Sequence, residues 1–137
     1  MPLRALRTDD APAPVAGAPY SQAIEAAGPG RTIFVSGQVP VDPATGALVD
    51  GGITAQTRRA LDNVRAVLGA GGASLLDVVK TTVYMTDLAD FGAMNEVYAQ
   101  AFAGHAPARA TVQVAALPLG AQVEIDAIAV TSDDDDA

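Results

Sequence analysis

Arg109 is the residue whose type and position most suggest chemistry. It is the only formally charged residue between Glu96 and Glu124, and it stands at the start of a predicted strand among Ala, Val, Leu and Pro. A buried arginine has to be paired, because an uncompensated buried charge costs about 3–5 kcal/mol. The partner is either a carboxylate of the protein or an anionic group of a ligand, and the residues alone leave both open.

Two other polar residues are candidates for the same site. Glu124 shares one face of a predicted strand with Gln122 and Asp126; a carboxylate can relay protons, although a solvated strand face is its more ordinary role. Asn95 falls on the apolar stripe of a predicted helix, and a buried amide needs hydrogen-bond partners. A satisfied core amide is the favoured interpretation of Asn95, and His105, beside Ala106 and Pro107, is interpreted as a loop residue.

Composition argues against several classes of function. The chain has no cysteine and one histidine, so disulfides, thiol nucleophiles and multi-histidine metal cages are not expected. Its net charge is −8 and its basic residues are scattered, which disfavours a nucleic-acid partner. The N-terminus has no apolar signal region, and the uncharged stretch 97–123 is interrupted by Pro, Gly and Gln. We therefore expect a cytoplasmic protein without a membrane span, metal or cofactor.

The elements that position these residues follow from hydrophobic periodicity and turn residues. We predict a flexible arm over 1–14, a single domain over 15–131 and an acidic disordered tail over 132–137. Within the domain the predicted order is a short strand before "GPGR", a strand at Thr32–Gln38, a brief strand at Ala47–Val49, a helix at 53–70, a strand at 78–86, a helix at 91–102, and strands at 108–115 and 122–130. This order predicts an α+β fold, with a mixed sheet and two helices packed on one face.

Alternation along the last two strands predicts how their side chains are divided. Arg109, Thr111 and Gln113 share one face, and Ala110, Val112 and Val114 form an apolar face suited to the helices. A simple hairpin around Pro118–Leu119 would place Gln113 opposite Glu124. Arg109 would then lie roughly 13 Å along the strand, at ~3.3 Å per residue. An Arg109–Glu124 pair is disfavoured within one chain and becomes possible across a subunit boundary.

Four segments together resemble one known family. They are "APYSQAI", "FVSGQVPVDPATG", "QTRRALDNVRAVLGAGGASLLDVVKTTVYMTDLADFGAMNEVY" and "PARATVQVAALPLGAQVEIDAIAV". In this order, over about residues 12–131, they resemble the RidA/YjgF family of reactive-intermediate deaminases. The resemblance implies a chorismate-mutase-like two-layer fold and a homotrimer with sites in the clefts between subunits.

The resemblance also assigns roles to individual residues. Arg109 would bind the substrate carboxylate, with Glu124 and Tyr20 near the reacting centre. The other implied substrate-binding residues are Ser36, Gly37, Asn95 and Thr111. Thr111 departs from the family, since many members carry cysteine at this position. The family's contact there is chiefly through the backbone, so the implied activity does not depend on a thiol.

The implied reaction is hydrolysis of 2-imino acids, such as 2-iminobutanoate and 2-iminopropanoate, or of their enamine tautomers. The products are 2-keto acids and ammonia, and no cofactor is required. Three alternatives remain: a non-catalytic trimer that senses keto acids or other carboxylates, a pathway-specific deaminase for aminomuconate or aminoacrylate, and an endoribonuclease or translation inhibitor. The acidic balance of the chain counts against the last of these.

Overall fold

The computed structural model describes residues 3–132, in which one mixed sheet is covered on one side by two helices. The strands are β1 (Leu3–Leu6), β2 (Ala23–Gly28), β3 (Gly30–Gln38), β4 (Val78–Met85), β5 (Ala108–Gln113) and β6 (Val123–Thr131). The helices are α1 (Gly52–Ala70) and α2 (Phe91–Phe102). The predicted α+β class, with both helices on one face, is confirmed.

Helix α1 forms where the 3.6-residue apolar stripe predicts it and ends at Ala70, with Gly71 as its C-cap. The residues of that stripe that become buried are Ala60, Leu61, Val64, Val67 and Leu68. They pack α1 against α2, β3 and β6 in one continuous core. No helix among residues 3–132 is both long enough and apolar enough to cross a membrane.

The strand order explains why the predicted hairpin is wrong. From one edge to the other the strands run β1, β2, β3, β6, β4, β5, so β6 lies between β3 and β4 and does not touch β5. Helix α2 connects β4 to β5, and these two strands pair in parallel. Glu124 therefore lies opposite Tyr84 of β4, and Arg109 lies opposite Thr81, also of β4.

Side-chain alternation gives the sheet two distinct faces. In β6, Val123, Ile125 and Ala127 are buried beneath the helices, while Glu124 and Asp126 point to the other face. No helix covers that second face in the described part of the chain, and it leaves large apolar side chains exposed. These are Phe34 (48% exposed), Val130 (47%) and Val112 (39%).

The N-terminal segment, for which the sequence predicts a flexible arm over 1–14, contains a strand among its described residues. Strand β1 pairs antiparallel with β2, and Leu6 joins the core. The side chain of Gln22, which is 2% exposed, accepts a hydrogen bond from the Thr8 backbone N–H at 2.8 Å. Its amide nitrogen donates to the carbonyls of Thr8, Ala11 and Pro12. Gln22 thus ties residues 8–12 to the start of β2.

The structure also bears on the predicted brief strand and the predicted acidic tail. The expected brief strand at Ala47–Val49 is reduced to a single bridge between Val41 and Leu48. The expected acidic tail at 132–137 lies outside the described residues from position 133 onward.

Candidate functional site

Arg109 is held on the helix side of the sheet by α2. Its Nη1 donates to Oδ1 of Asn95 at 2.8 Å, and its guanidinium carbon lies 4.6 Å from the ring centre of Tyr98 and 5.5 Å from that of Phe91. No carboxylate in residues 3–132 forms a salt bridge with it. An amide and two aromatic faces orient the cation without neutralising it, so the guanidinium remains able to bind an anion.

This placement corrects two expectations. Arg109 and Thr111 face the helices, whereas alternation alone had assigned that side to Ala110 and Val112; Val112 is exposed on the other face. Asn95 is the partner of Arg109 rather than an amide satisfied within the core. The contributions of Phe91 and Tyr98 to Arg109 are missed by sequence reasoning, which treated them only as apolar residues of the α2 stripe.

The surroundings of Arg109 form a cleft of about 490 Å³, here called the arginine pocket. It lies between the end of α2 and the start of β5, and its lining includes Asn95, Tyr98, Phe102, His105 and Arg109. His105 lies in the connecting loop, as expected, and its Nε2 is 2.7 Å from the carbonyl oxygen of Val78. Because a carbonyl only accepts hydrogen bonds, Nε2 carries the proton, and this bond fixes the loop to β4.

Thr111, two residues beyond Arg109, has a buried hydroxyl that finds no hydrogen-bond partner among the described residues. Strand β5 is an edge strand, so one row of its backbone groups also lacks a neighbouring strand. A buried hydroxyl without a partner is uncommon. Unpaired polar groups are therefore available beside the unneutralised guanidinium.

Glu124 lies on the other face of the sheet, beside a bulge in β3. Val35 pairs with Ala127 and Gln38 pairs with Ile125, so one extra residue is inserted where Ser36 and Gly37 occur. A Cβ placed on Gly37 would collide with the carboxylate of Glu124. Because glycine has no Cβ, the Glu124 carboxylate can lie directly against the backbone at this position.

The surroundings of the Glu124 carboxyl favour its protonated form, compared with a glutamate in water. Burial raises the pKa of the Glu124 carboxyl above its usual value, and the negative charge of Asp126 raises it further. Asp126 is itself held by hydrogen bonds from the Thr82 backbone N–H at 3.0 Å and the Tyr84 hydroxyl at 3.2 Å. A carboxyl group with a raised pKa is suited to accept and return a proton near neutral pH.

A cavity of about 800 Å³, here called the glutamate pocket, contains Glu124 together with Tyr20, Ser36 and Gly37. The Tyr20 hydroxyl accepts a hydrogen bond from the Val15 backbone N–H at 3.1 Å, and its own hydrogen remains free to donate. The Ser36 hydroxyl donates to the Ser21 carbonyl at 2.6 Å, which positions the segment that carries Tyr20. Through this hydrogen bond Ser36 helps to shape the pocket.

The site residues predicted from the sequence therefore fall into two groups. Arg109, Asn95 and Thr111 gather around the arginine pocket, and Tyr20, Ser36, Gly37 and Glu124 gather around the glutamate pocket. The two groups lie on opposite faces of one sheet. A single chain does not bring its own Arg109 and Glu124 together. Among residues 3–132, no cluster of three or more His, Asp or Glu residues is arranged to hold a metal ion.

Comparisons with known proteins show which family the chain resembles. Residues 10–131 match the family described as endoribonuclease L-PSP. The chain is 50% identical over 131 residues to protein DfrA of Myxococcus xanthus, covering 96% of this chain and 98% of that protein. It is 52% identical over 118 residues to the 2-iminobutanoate/2-iminopropanoate deaminase of Mus musculus, covering 86% and 85%.

A solved structure, that of E. coli TdcF with bound serine, superposes with a TM-score of 0.87 at 42% identity. It covers 94% of this chain and 99% of TdcF. The fold, the family match and the sequence identities together show that the chain belongs to the endoribonuclease L-PSP family, also known as the RidA/YjgF family.

Proposed function

We propose that this protein hydrolyses 2-imino acids to 2-keto acids and ammonia, at sites shared between the copies of a homotrimer. The observation that carries the proposal is Arg109, which is oriented by Asn95 and Tyr98 but has no carboxylate partner in the described chain. The family's deaminases, at about 50% identity, support the reaction class.

Arg109 supplies the substrate specificity. Its guanidinium can form two parallel hydrogen bonds to a carboxylate, and hydrogen bonds to charged groups contribute roughly 1.5–3 kcal/mol each. No Asp or Glu lines the arginine pocket among the described residues, so the substrate carboxylate would meet no competing carboxylate there. This arrangement selects a carboxylic acid and positions its second carbon relative to the rest of the site.

Glu124 and Tyr20 supply the proton transfers. Water adds to the carbon of the N-protonated imine while one of its protons passes to the Glu124 carboxylate, which gives a carbon that carries a hydroxyl and an amino group. Glu124 then returns the proton to the nitrogen, the C–N bond breaks and ammonia leaves. The hydroxyl passes its proton to the Glu124 carboxylate as the carbonyl of the 2-keto acid forms, and the departing ammonia takes up this proton as ammonium, which leaves Glu124 ionised again. The free O–H of Tyr20 can donate to the intermediate.

The two faces of the sheet support the proposed association of copies. The uncovered face exposes Phe34 and Val130 on two neighbouring strands and Val112 on the edge strand β5, and exposed apolar surface is common at interfaces. Arg109 of one copy and Glu124 of the next can then meet, which their placement within one chain does not allow. The homotrimer is the closed assembly that the family resemblance implies, with one site per pair of neighbours.

Subunit complementation tests the shared site directly. Arg109→Ala and Glu124→Gln are each expected to be inactive alone, because each removes one half of every site. After the two variants are unfolded together, mixed equally and refolded, random trimers should recover about a quarter of the wild-type activity. Mixing without refolding is the control. An inactive refolded mixture whose native mass shows mixed trimers would contradict the shared site.

Gly37→Ala tests the position of the Glu124 carboxylate. The new Cβ would displace that carboxylate, and small misplacements of catalytic groups can reduce rates by about a hundredfold. We expect kcat/KM for 2-iminopropanoate to fall at least about tenfold, with the fold retained. Gly92→Ala, where nothing lies within 4 Å of the added Cβ, is the matched control. Unchanged turnover in Gly37→Ala would show that the Glu124 position does not matter.

A second candidate is a trimer that binds small amino or keto acids without turning them over. The TdcF structure, which holds serine, favours it. This alternative requires Arg109 but not Glu124, and the Glu124→Gln variant considered below distinguishes the two.

A further inference from the structure

In a single chain the glutamate pocket is mostly apolar and larger than a three-carbon substrate requires. Its volume of about 800 Å³ lies within the range of about 300–1,000 Å³ typical of sites for much larger ligands. Glu124 is the only charged residue that lines it among the described residues, and the Tyr20 and Ser36 hydroxyls are the only other polar side-chain groups. The apolar side chains of its lining include Pro12, Val15, Val39, Val41, Pro118 and Leu119.

Leu119 is the most unusual residue of this lining. Its backbone is left-handed, with φ 61° and ψ 14°, a conformation that residues other than Gly and Asn rarely adopt. Its side chain is 69% exposed and contributes nothing to the core. A strained backbone whose energetic cost is not offset by core packing is most often found at functional sites.

The turn that carries Leu119 is closed by two backbone hydrogen bonds and leads directly into the strand of the site. The Gly120 N–H donates to the Leu117 carbonyl and the Ala121 N–H donates to the Pro118 carbonyl. Strand β6 begins at Val123, one residue before Glu124. Leu119 is therefore held at a fixed place on the wall of the same cavity that contains the Glu124 carboxylate.

We propose that Leu119, together with Val39 and Val41, binds the side chain of the substrate and makes the enzyme prefer 2-imino acids with apolar side chains of four or more carbons. This inference rests on the proposed function. A charged substrate side chain would find no counter-charge other than Glu124 on this wall, and it would lose its hydration. A methyl side chain would leave the apolar wall unfilled.

The test is a series of imines generated in situ by amino acid oxidases from alanine, leucine, phenylalanine and glutamate, with semicarbazide trapping of the imine. For the wild-type protein we expect kcat/KM to be roughly tenfold higher for the leucine- and phenylalanine-derived imines than for 2-iminopropanoate. Leu119→Ala should lower the two high values about tenfold and change the 2-iminopropanoate value by less than about twofold.

Two further variants separate the side-chain contact from other effects. Leu119→Asn keeps a residue that tolerates the left-handed backbone but removes the apolar contact, so it should lose selectivity as Leu119→Ala does. Leu76→Ala removes another leucine that is 70% exposed, away from the pocket, and should behave as wild type.

Several outcomes would overturn the inference. One is equal kcat/KM for small and large apolar imines in the wild-type protein, and another is unchanged selectivity in both Leu119 variants. A uniform loss for all substrates with a reduced native mass would make Leu119 an interface residue instead. If the wild-type protein hydrolyses none of the imines, the proposed function itself fails, which is a different result from hydrolysis without selectivity.

Discussion

Arg109→Ala is expected to reduce kcat/KM for 2-imino acids by at least about a hundredfold, the largest effect among the substitutions considered. Two charge-assisted hydrogen bonds to the substrate carboxylate are lost, at roughly 1.5–3 kcal/mol each. The effect should appear mainly in KM and in the affinity for 2-ketobutyrate, measured by calorimetry, because the contact exists before and during the reaction.

Two substitutions serve as comparisons for Arg109→Ala. Arg109→Lys keeps the charge but loses the planar guanidinium that forms two parallel hydrogen bonds, so it should retain only part of the activity. Arg58→Ala removes an exposed arginine from α1, outside both pockets that contain the predicted site residues, and should leave turnover unchanged. Full activity in Arg109→Ala would exclude the mechanism proposed for this site.

Glu124→Gln is expected to bind 2-ketobutyrate normally while its kcat falls at least about a hundredfold, since general acid–base catalysis contributes typically 10²–10⁴-fold. The amide fills nearly the same space beside Gly37 but cannot carry the proton. Steady-state measurement with semicarbazide trapping of the imine gives kcat, and calorimetry gives the affinity. Wild-type turnover in this variant would remove Glu124 from the mechanism, and absence of turnover in both proteins with normal binding would favour the sensing role.

The proposed role of Glu124 also predicts that activity increases with pH. Glu124 must be ionised to accept the proton of the attacking water, so activity should rise as pH increases through its pKa. Burial and the charge of Asp126 raise that pKa, so the acid limb of the kcat/KM profile should lie above the ordinary range of a glutamate. The residual activity of Glu124→Gln should lack this limb.

Local periodicity was sufficient to predict much of the fold. The apolar stripe of α1 and the alternation of β6 each specify one buried face, and both elements form where predicted. Strand β1 was missed because its four residues have no distinctive alternation; it is stabilised by pairing with β2 and, beyond it, by the Gln22 side chain. Such long-range hydrogen bonds leave no periodic signal in the sequence.

The faces and partners of the site residues were harder to predict than their identities. The orientation of Arg109 depends on β5 lying parallel to β4 beneath α2. A strand, a helix and a further strand in succession favour parallel pairing, so this signal was available, but a short connection between the last two strands suggested a hairpin instead. Asn95 and Tyr98 share one stripe of α2, and their joint contact with Arg109 follows only once β5 is placed there.

Strand β6 contributes both to the core and to the site, because its side chains alternate between the two faces of the sheet. Its odd-numbered residues from Val123 to Ala127 fill the core, and its even-numbered residues face the site. A slip of one residue in its pairing would turn Glu124 inward beneath the helices and Ile125 outward. An insertion or deletion here would thus damage both stability and chemistry, so we expect this strand to tolerate substitutions far better than changes in length.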